Sequence, residues 1–507
     1  MNIAKIKSHL KSINITTLVL WLLIIIGIVL RAKVYFYNQS FGVGECMLGV
    51  NINEIGSNYL KYFEPLKLNQ CAPPLFLIVC RLILDISHQA GHFYNQDLML
   101  RLFPFLCSVA SLPLFAILLT KIATNKHFIW ASMAMLVFNQ TAIRYAQEFK
   151  QYSCEMMFTL ILLLMFNSLN LKEISYKKLG TYVSIFVLSM WFSSSAILIL
   201  FVGYLFLAYE VFKNKIFDKV KLSILLVPIL ANVIVYYFAY YKPVKKAMVV
   251  FMHNFWANRA PSFFTFSNFS ELFVKKMQAL IYSPCSEHLI LFLIFSLVIF
   301  FLNKEINAKI KFIASSSVAL IILSSFLSVY PFEERLILFL LPMFIIIYSQ
   351  ISYLLKENKL ILVLFACIVV NLFNQKLEIS SDKLANSEMI KCQFRKYAEF
   401  IVENKIEPQQ ILMTPNCQIE YYLQNYLNGR KFLFKESLWI NLKKSKLSHK
   451  LNEISKGNYW MFFPVETRIG TYTMNAIQIL ENNPNIRIIE INKEKNTMHY
   501  IIHFEKI

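Results

Sequence analysis

The sequence predicts an α-helical polytopic membrane protein of about eleven spans, followed by a small α/β domain at the C-terminus. Composition is the first reason: 57% of the 507 residues are hydrophobic and only 16% are charged, whereas soluble domains carry roughly 25% charged residues. The second reason is that apolar runs of spanning length recur up to about residue 375. The third is that residues 376–507 have a soluble composition and alternate between strand and helix patterns.

The first apolar run, Ile15–Leu30, follows three lysines and is not followed by a small-residue cleavage site, so it is expected to be a retained signal anchor. The next segment, 31–97, is long and mixed in polarity. Within it, Ala72–Ile86 is apolar but interrupted by Arg81 and Asp85, a pattern typical of an amphipathic helix lying in the membrane interface. Further spans are predicted at 99–120, 127–145, 152–170, 179–193, 195–212, 222–240, 286–302, 312–329, 336–353 and 359–375.

Lysines occupy the short loops on one side of the predicted spans, and the positive-inside rule makes that side cytoplasmic, together with the N-terminus. Contact of these lysines with anionic membrane lipids explains the net charge of +21 without nucleic acid as a partner. The opposite, external side then receives the first loop 31–97, the segments Arg144–Ser153 and Tyr330–Arg335, and the C-terminus. The predicted organisation is a transmembrane module over 1–375 and an external α/β domain over 376–507.

The C-terminal domain is predicted from short alternating patterns. It contains no Gly-rich phosphate loop and no nucleophile elbow, so we interpret it as a scaffold or an acceptor-binding module. The predicted helices cover Met389–Asn404, Gln418–Leu427 and Tyr472–Asn482, and the predicted strands cover Gln410–Met413, Tyr459–Phe463, Arg487–Ile491 and Met498–Phe504.

The nine cysteines show no Cys-x-x-Cys spacing, which argues against a metal cluster or a disulfide scaffold. Several of them lie in apolar runs. Cys46 with Cys71, or Cys392 with Cys417, could form a disulfide if these segments face an oxidising compartment.

The segment Arg144–Ser153 holds two cations, a carboxylate and two tyrosines between two long apolar runs. Ionisable groups at a membrane surface are costly unless they are paired or used, so a functional site is the default hypothesis. The alternative is that Arg144 and Lys150 only extend to lipid headgroups, as basic residues at helix ends usually do. Two further polar elements, Gly44–Glu45 and Tyr330–Arg335, are expected on the same external face, which favours the functional interpretation.

These residue types suit the displacement of a lipid-linked phosphate at the level of the bilayer. A leaving phosphate needs fixed positive charge, which Lys150 and Arg335 could supply. The attacking hydroxyl needs a carboxylate as general base, such as Glu45, or a metal ion held by carboxylates. A divalent cation, Mg²⁺ or Mn²⁺, is therefore the one cofactor that this chemistry admits.

Other polar side chains accompany these candidates. If their segment is helical, Glu148, Tyr152 and Glu155 share one side at i, i+4 and i+7. His253 is a candidate site residue, although a lone histidine is more often a hydrogen-bonded interface residue than a metal ligand. Trp256 is interpreted as an anchor at the membrane interface in preference to a platform for sugar stacking.

Five motifs together resemble the multi-spanning, lipid-dependent glycosyltransferases of the GT-C type. Within that type they are most similar to the family 39 group, related to the protein mannosyltransferases and to the aminoarabinose transferase of lipid A. The resemblance implies an enzyme of a bacterial inner membrane that moves a sugar from a polyprenyl phosphate onto a glycan, lipid or protein acceptor at the external face, with inversion. The motifs occur in the order Gly44–Asn51, Asn69–Pro74, Arg101–Pro104, Tyr145–Ser153 and Tyr330–Arg335.

The resemblance also implies residue roles. Glu45 matches the second acid of the family's Asp-Glu pair in the first external loop and is the expected catalytic residue. The first acid is replaced by Gly44, so a catalytically impaired relative is an open alternative. Lys150 matches a position next to the lipid phosphate, with Tyr152 beside it, and Arg335 matches a basic residue of the late external loop. Further candidate site residues are Glu148, Arg144, Gln70 and His253.

A polytopic transporter or lipid flippase is the alternative from another functional class. Three features disfavour it: few charges lie at the centres of the spans, no pair of broken helices stands out, and the polar residues concentrate on one face.

Overall fold

The chain divides by its internal contacts into two compact units. The membrane unit contains Met1–Asn38 and Ile55–Asn374, and the C-terminal unit contains Gln39–Glu54 and Gln375–Ile507. Chain order alone does not reveal that part of the first loop has its contacts in the C-terminal unit. The computed structural model describes residues 15–89, 96–215, 218–247, 255, 262–281, 289–355, 394–407, 410–413, 421–422, 438–439, 451–452, 454–463, 477–493 and 500–507.

Helices make up the described part of the membrane unit. Their starts follow local capping signals: the side chains of Asn125, Ser175, Asp218 and Asn307 each accept hydrogen bonds from backbone N–H groups of the helix that follows. The helices are α1 Ile15–Tyr37, α3 Pro74–Gln89, α4 Gln96–Ile122, α5 Lys126–Val137, α6 Gln140–Tyr145, α7 Tyr152–Ser168, α8 Tyr176–Phe192, α9 Ala196–Lys213, α10 Lys219–Tyr236, α11 Phe269–Ile281, α12 Leu289–Leu302, α13 Ala308–Phe326 and α14 Leu341–Tyr348.

Five of these helices are long and apolar enough to cross a membrane, namely α1, α4, α9, α13 and the helix that begins with α10 and continues to Ala247. Shorter apolar helices lie at Tyr152–Ser168, Leu293–Leu302 and Leu338–Tyr353. The protein is therefore an integral membrane protein of the polytopic helical class, as predicted. The predicted span 359–375 lies outside the described residues.

The prediction of one continuous span over 127–145 is wrong. Helix α5 ends at Val137, and α6 starts at Gln140. Asn139 causes the break, because its side chain accepts from Ala142 N–H at 2.7 Å while its amide nitrogen donates to the Leu280 carbonyl at 2.8 Å. A polar residue that caps a new helix inside an apolar run ends the previous one.

The core of the membrane unit forms where α4 packs against α1, α3 and α7. Arg31 of α1 is completely buried in this core. Its guanidinium donates to Ser108 Oγ at 2.9 Å, to the Gly27 carbonyl at 3.1 Å and to the Leu136 carbonyl at 3.2 Å. These acceptors offset the cost of burying the charge, and Leu136 lies at the end of α5, where helix carbonyls lack intrahelical donors.

Helix α3 confirms the helix predicted within the first loop, and it begins at Pro74, which needs no N–H partner in the first turn. Arg81 and Asp85 form an ion pair at 2.6 Å one turn apart. Ser57 and Tyr59 also donate to Asp85, at 3.1 and 3.0 Å. Burial opposes ionisation of this carboxyl group, but the hydrogen bonds from Arg81 and Tyr59 lower the pKa of Asp85.

The C-terminal unit contains helix α2 (Val43–Ile55) up to Glu54, helix α15 (Phe394–Glu403) and a five-stranded mixed sheet. The strand order is β2-β1-β3-β5-β4. Strand β1 runs parallel to β2 and β3, whereas β5 runs antiparallel to β3 and β4. The strands are β1 Ile411–Met413, β2 Leu438–Trp439, β3 Gly457–Phe463, β4 Ile486–Lys493 and β5 Tyr500–Lys506.

The sheet buries a core along its central strands. Leu412 of β1 lies opposite Met461 of β3, which in turn lies opposite Ile502 of β5, and all three side chains are buried. The predicted strands at 410–413, 459–463, 487–491 and 498–504 are confirmed within one to two residues over the described part, whereas β2 was not predicted. The predicted helix at 418–427 lies outside the described residues except for 421–422, and the described part of the predicted helix at 472–482 is helical over 477–481.

Candidate functional site

The polar segment predicted as the main site connects α6 to α7 and is not itself helical. After α6 ends at Tyr145 the backbone turns and bends through residues 146–151, and α7 begins at Tyr152. Tyr152 and Glu155 therefore belong to a helix that does not include Glu148. The prediction that all three share one helical side is wrong for Glu148, because the turn interrupts the periodicity.

Lys150 and Gln70, two of the predicted site residues, are brought together by the fold. The Lys150 ammonium group donates to Gln70 Oε1 at 2.9 Å, across 80 positions of sequence. Both side chains are partly buried. A lysine that is oriented by an amide in this way is held more firmly than one that extends into a headgroup layer.

Arg144 and Glu148 form a pair of a different kind. Arg144 Nε lies 3.6 Å from Glu148 Oε1, and the Arg144 side chain is 45% exposed. An exposed pair at this distance contributes little to stability. Arg144 therefore lies at the surface of the segment, whereas Glu148, with 14% of its side chain exposed, lies deeper.

Arg335 lies beside the aromatic pair of the same segment. The rings of Tyr145 and Tyr152 meet edge to face at 5.2 Å. Burial works against the charge of the Arg335 guanidinium, but the nearby phenol groups of Tyr152 and Tyr145, with neighbouring carboxylates, outweigh burial and raise the pKa of Arg335. Glu333 pairs with Lys276 at 2.6 Å. The late loop, through Arg335, and the α6–α7 segment, through Lys150 and the two tyrosines that flank it, therefore form a basic and aromatic cluster within the membrane unit, called the basic cluster below.

Glu45 lies in the C-terminal unit, in the first turn of α2. Its side chain is 5% exposed, and Oε2 accepts a hydrogen bond from Gly42 N–H at 2.9 Å. A glutamate that reaches back to the N–H three residues earlier is one half of a capping box, and the helix N-terminus favours its negative charge. The start of α2 at Val43 was not predicted, and the Gly42-x-x-Glu45 spacing is the signal that could have indicated this cap.

The metal prediction receives no direct test. Among the described residues there is no group of three or more His, Cys, Asp and Glu side chains that could hold a metal ion. His253 and Trp256 lie outside the described residues. The Cys46 and Cys71 side chains are not joined in a disulfide in this structure.

Near the cluster, the buried amides of Gln147 and Gln151 were not selected from the sequence, whereas Glu155 was noted there only as sharing a helical side with Tyr152. Glu155 is 5% exposed and lies near the backbone N–H groups of Ser194 and Ser195, which precede α9. The amide oxygens of Gln147 and Gln151 are buried and have no hydrogen-bond partner within the described ranges. Buried acceptors without donors are rare. The sequence signal that could have indicated them is that Gln147 and Gln151 flank the charged residues Glu148 and Lys150.

A helical membrane unit with a small C-terminal mixed sheet is the architecture of a class of proteins, the GT-C fold. A solved structure with this fold is ArnT from Cupriavidus metallidurans bound to undecaprenyl phosphate, a GT-C glycosyltransferase. It matches with a TM-score of 0.51 at 10% sequence identity and covers 94% of this chain and 97% of that chain. No family model and no curated protein matches the sequence.

At this level of identity the likeness establishes the fold. The GT-C prediction is confirmed as a fold class, and placement in family 39 stays a prediction. The roles of individual site residues also stay predictions, because they depend on chemistry beyond the fold.

Proposed function

We propose that the protein transfers a sugar from a polyprenyl phosphate to a glycan, lipid or protein acceptor, with inversion at the anomeric carbon. One observation carries this proposal: in a chain with the GT-C fold, Gln70 pairs with Lys150 of the α6–α7 segment, and Arg335 lies near Tyr145 and Tyr152 at the two ends of that segment. The structural neighbour ArnT, bound to undecaprenyl phosphate, supports a lipid phosphate as the ligand.

In the proposed reaction an acceptor hydroxyl attacks the anomeric carbon while the bond from that carbon to the phosphate oxygen breaks. The polyprenyl phosphate leaves as the anion, and Lys150 and Arg335 stabilise its charge. Tyr152 lies near Arg335 and offers a hydroxyl donor. Glu45 is the proposed base for the proton of the attacking hydroxyl. A Mg²⁺ or Mn²⁺ ion held by carboxylates would be the alternative means of activation.

The proposed location follows the lysine distribution. The N-terminus would be cytoplasmic, and the C-terminal unit would face the outside of a bacterial inner membrane, where the acceptor would be found. The amide oxygens of Gln147 and Gln151, which have no hydrogen-bond partner among the residues that the structure describes, could accept hydrogen bonds from sugar hydroxyls.

The test compares binding of undecaprenyl phosphate and of undecaprenol to the purified full-length protein in detergent. The two lipids share their tail, so tighter binding of the phosphate isolates the contribution of the basic cluster. Equal affinities would contradict the proposal. Comparison of surface glycans and lipids between a deletion strain and its parent then identifies the sugar and the acceptor, and binding of the lipid phosphate without any transferred sugar would favour the impaired relative.

A further inference from the structure

Two consecutive tyrosines of the C-terminal unit enclose the segment that precedes and carries Glu45. The backbone N–H of Phe41 donates to the Tyr422 hydroxyl at 2.5 Å, and the Phe41 ring stacks on Tyr421 with centroids 5.2 Å apart. Tyr421 is fully buried, Tyr422 is 2% exposed and Phe41 is 1% exposed. The chain is thus fixed four residues before Glu45 by one hydrogen bond and one ring contact.

A second contact fixes the same helix on the other side of Glu45. Gly49 of α2 faces the Tyr421 ring so closely that a Cβ on Gly49 would lie 2.4 Å from Tyr421 Cε2. Only glycine allows this approach without a shift of the ring or of the helix. Because the ring is buried, it has little room to move aside.

The tyrosines are connected to the sheet through helix α15. The Arg395 guanidinium carbon lies 5.7 Å from the centre of the Tyr422 ring. Phe400 of the same helix contacts Trp460 of β3 at 5.4 Å between centroids. Sheet, α15, tyrosine pair and α2 therefore form one continuous chain of packed groups inside the C-terminal unit.

We propose that Tyr421 and Tyr422 are positioning residues that hold α2 and thereby set the location of the Glu45 carboxylate. This inference rests on the proposed function of Glu45 as the base. A base must be held to within about half an ångström of its productive position, and Glu45 is part of the rigid first turn of α2 through its bond to Gly42.

Hydrogen exchange of the full-length protein in detergent, followed by mass spectrometry, tests the contacts without any substrate. Tyr422→Phe removes one hydroxyl group, and Gly49→Ala introduces the clashing methyl group. Loss of one net hydrogen bond should accelerate exchange of the amides between residues 41 and 54 by about five-fold. Gly180→Ala is the matched control, since a Cβ on Gly180 would meet no atom within 4 Å. Unchanged exchange in both variants would overturn the proposal.

A kinetic measurement distinguishes positioning from mere stability. Because the phosphate-binding candidates lie in the membrane unit, Tyr422→Phe should lower kcat for sugar transfer while the affinity for undecaprenyl phosphate stays within about two-fold of wild type. Faster exchange with unchanged kcat would overturn the positioning role. If the wild-type protein binds no undecaprenyl phosphate, the proposed function is refuted. The exchange result would still test the contacts between the tyrosines and α2, because it needs no substrate.

A double substitution tests the contact between Gly49 and Tyr421. Tyr421→Ala alone should accelerate exchange of α2, and adding Gly49→Ala to it should have little further effect, because the ring that the methyl group would meet is gone. Additive effects of the two substitutions would show that Gly49 and Tyr421 act independently and would contradict the contact.

Discussion

Removal of the Lys150 ammonium group tests the basic cluster most directly. In the structure this group is held by Gln70 Oε1 at 2.9 Å in a partly buried position. If it binds the donor phosphate, it contributes a charge-assisted hydrogen bond of about 1.5–3 kcal/mol. Lys150→Ala should then weaken binding of undecaprenyl phosphate roughly 10- to 150-fold.

Substitution of Gln70, the amide that holds Lys150, distinguishes the effect of orientation from the effect of charge. Gln70→Ala leaves the charge of Lys150 in place and removes only the bond that orients it, so it should weaken binding of undecaprenyl phosphate less than Lys150→Ala does. If Gln70 acts only through Lys150, the double variant should bind no more weakly than Lys150→Ala. Lys150→Arg should be tolerated, because the guanidinium fork suits a phosphate.

The assay is equilibrium binding of undecaprenyl phosphate to purified protein, with monodispersity and thermal unfolding followed in parallel. Lys275→Ala is the matched control, since this lysine has 63% of its side chain exposed and already pairs with Glu271. An unchanged affinity in Lys150→Ala would refute phosphate binding and leave Lys150 as a basic residue that extends to lipid headgroups.

Three further outcomes are expected. Glu45→Gln should lower turnover by about two orders of magnitude, and near-normal turnover would move the base elsewhere; Gly44→Asp should raise turnover if the native protein is impaired. Because the folded-state pKa of Asp85 is lowered, its contribution to stability is full above the unfolded pKa of about 3.9 and is lost as pH falls through the folded value. Asp85→Asn should therefore flatten the decline of Tm on acidification, and an identical decline would contradict this. A reporter active only outside the cytoplasm should be active when fused after Ile507 and silent after Lys215, and the reverse pattern would invert the predicted topology.

The membrane class was predictable because hydropathy is a local property. Runs such as 99–120 and 312–329 are apolar and long enough to span a bilayer. Because the backbone inside a bilayer must satisfy its own hydrogen bonds, such runs form helices, and both helix and span can be predicted from composition and length. The break at Asn139 was missed although its signal is local, because an apolar average over 127–145 hides one capping residue. Strand β2 was missed because two residues carry no periodicity.

The sequence indicated which residue types belong to the candidate site, but it did not indicate which residues pair with one another there. Lys150, Arg335 and Tyr152 were selected because charge and phenol groups beside apolar runs require a reason. Their partners could not be selected in the same way. The pairing of Lys150 with Gln70, and of Glu333 with Lys276, depends on segments 80 and 57 positions apart.

Local chemistry thus accounts for the helices, the polar segments and the soluble character of the C-terminal residues. Tertiary packing alone assigns Gln39–Glu54 to the C-terminal unit and places Tyr421 against Gly49. The physical reason is that hydropathy and capping act over a few residues, whereas close packing depends on which distant surfaces are complementary in shape. Glycine at position 49 is compatible with many local structures, and only the buried ring beside it explains why no larger side chain fits there.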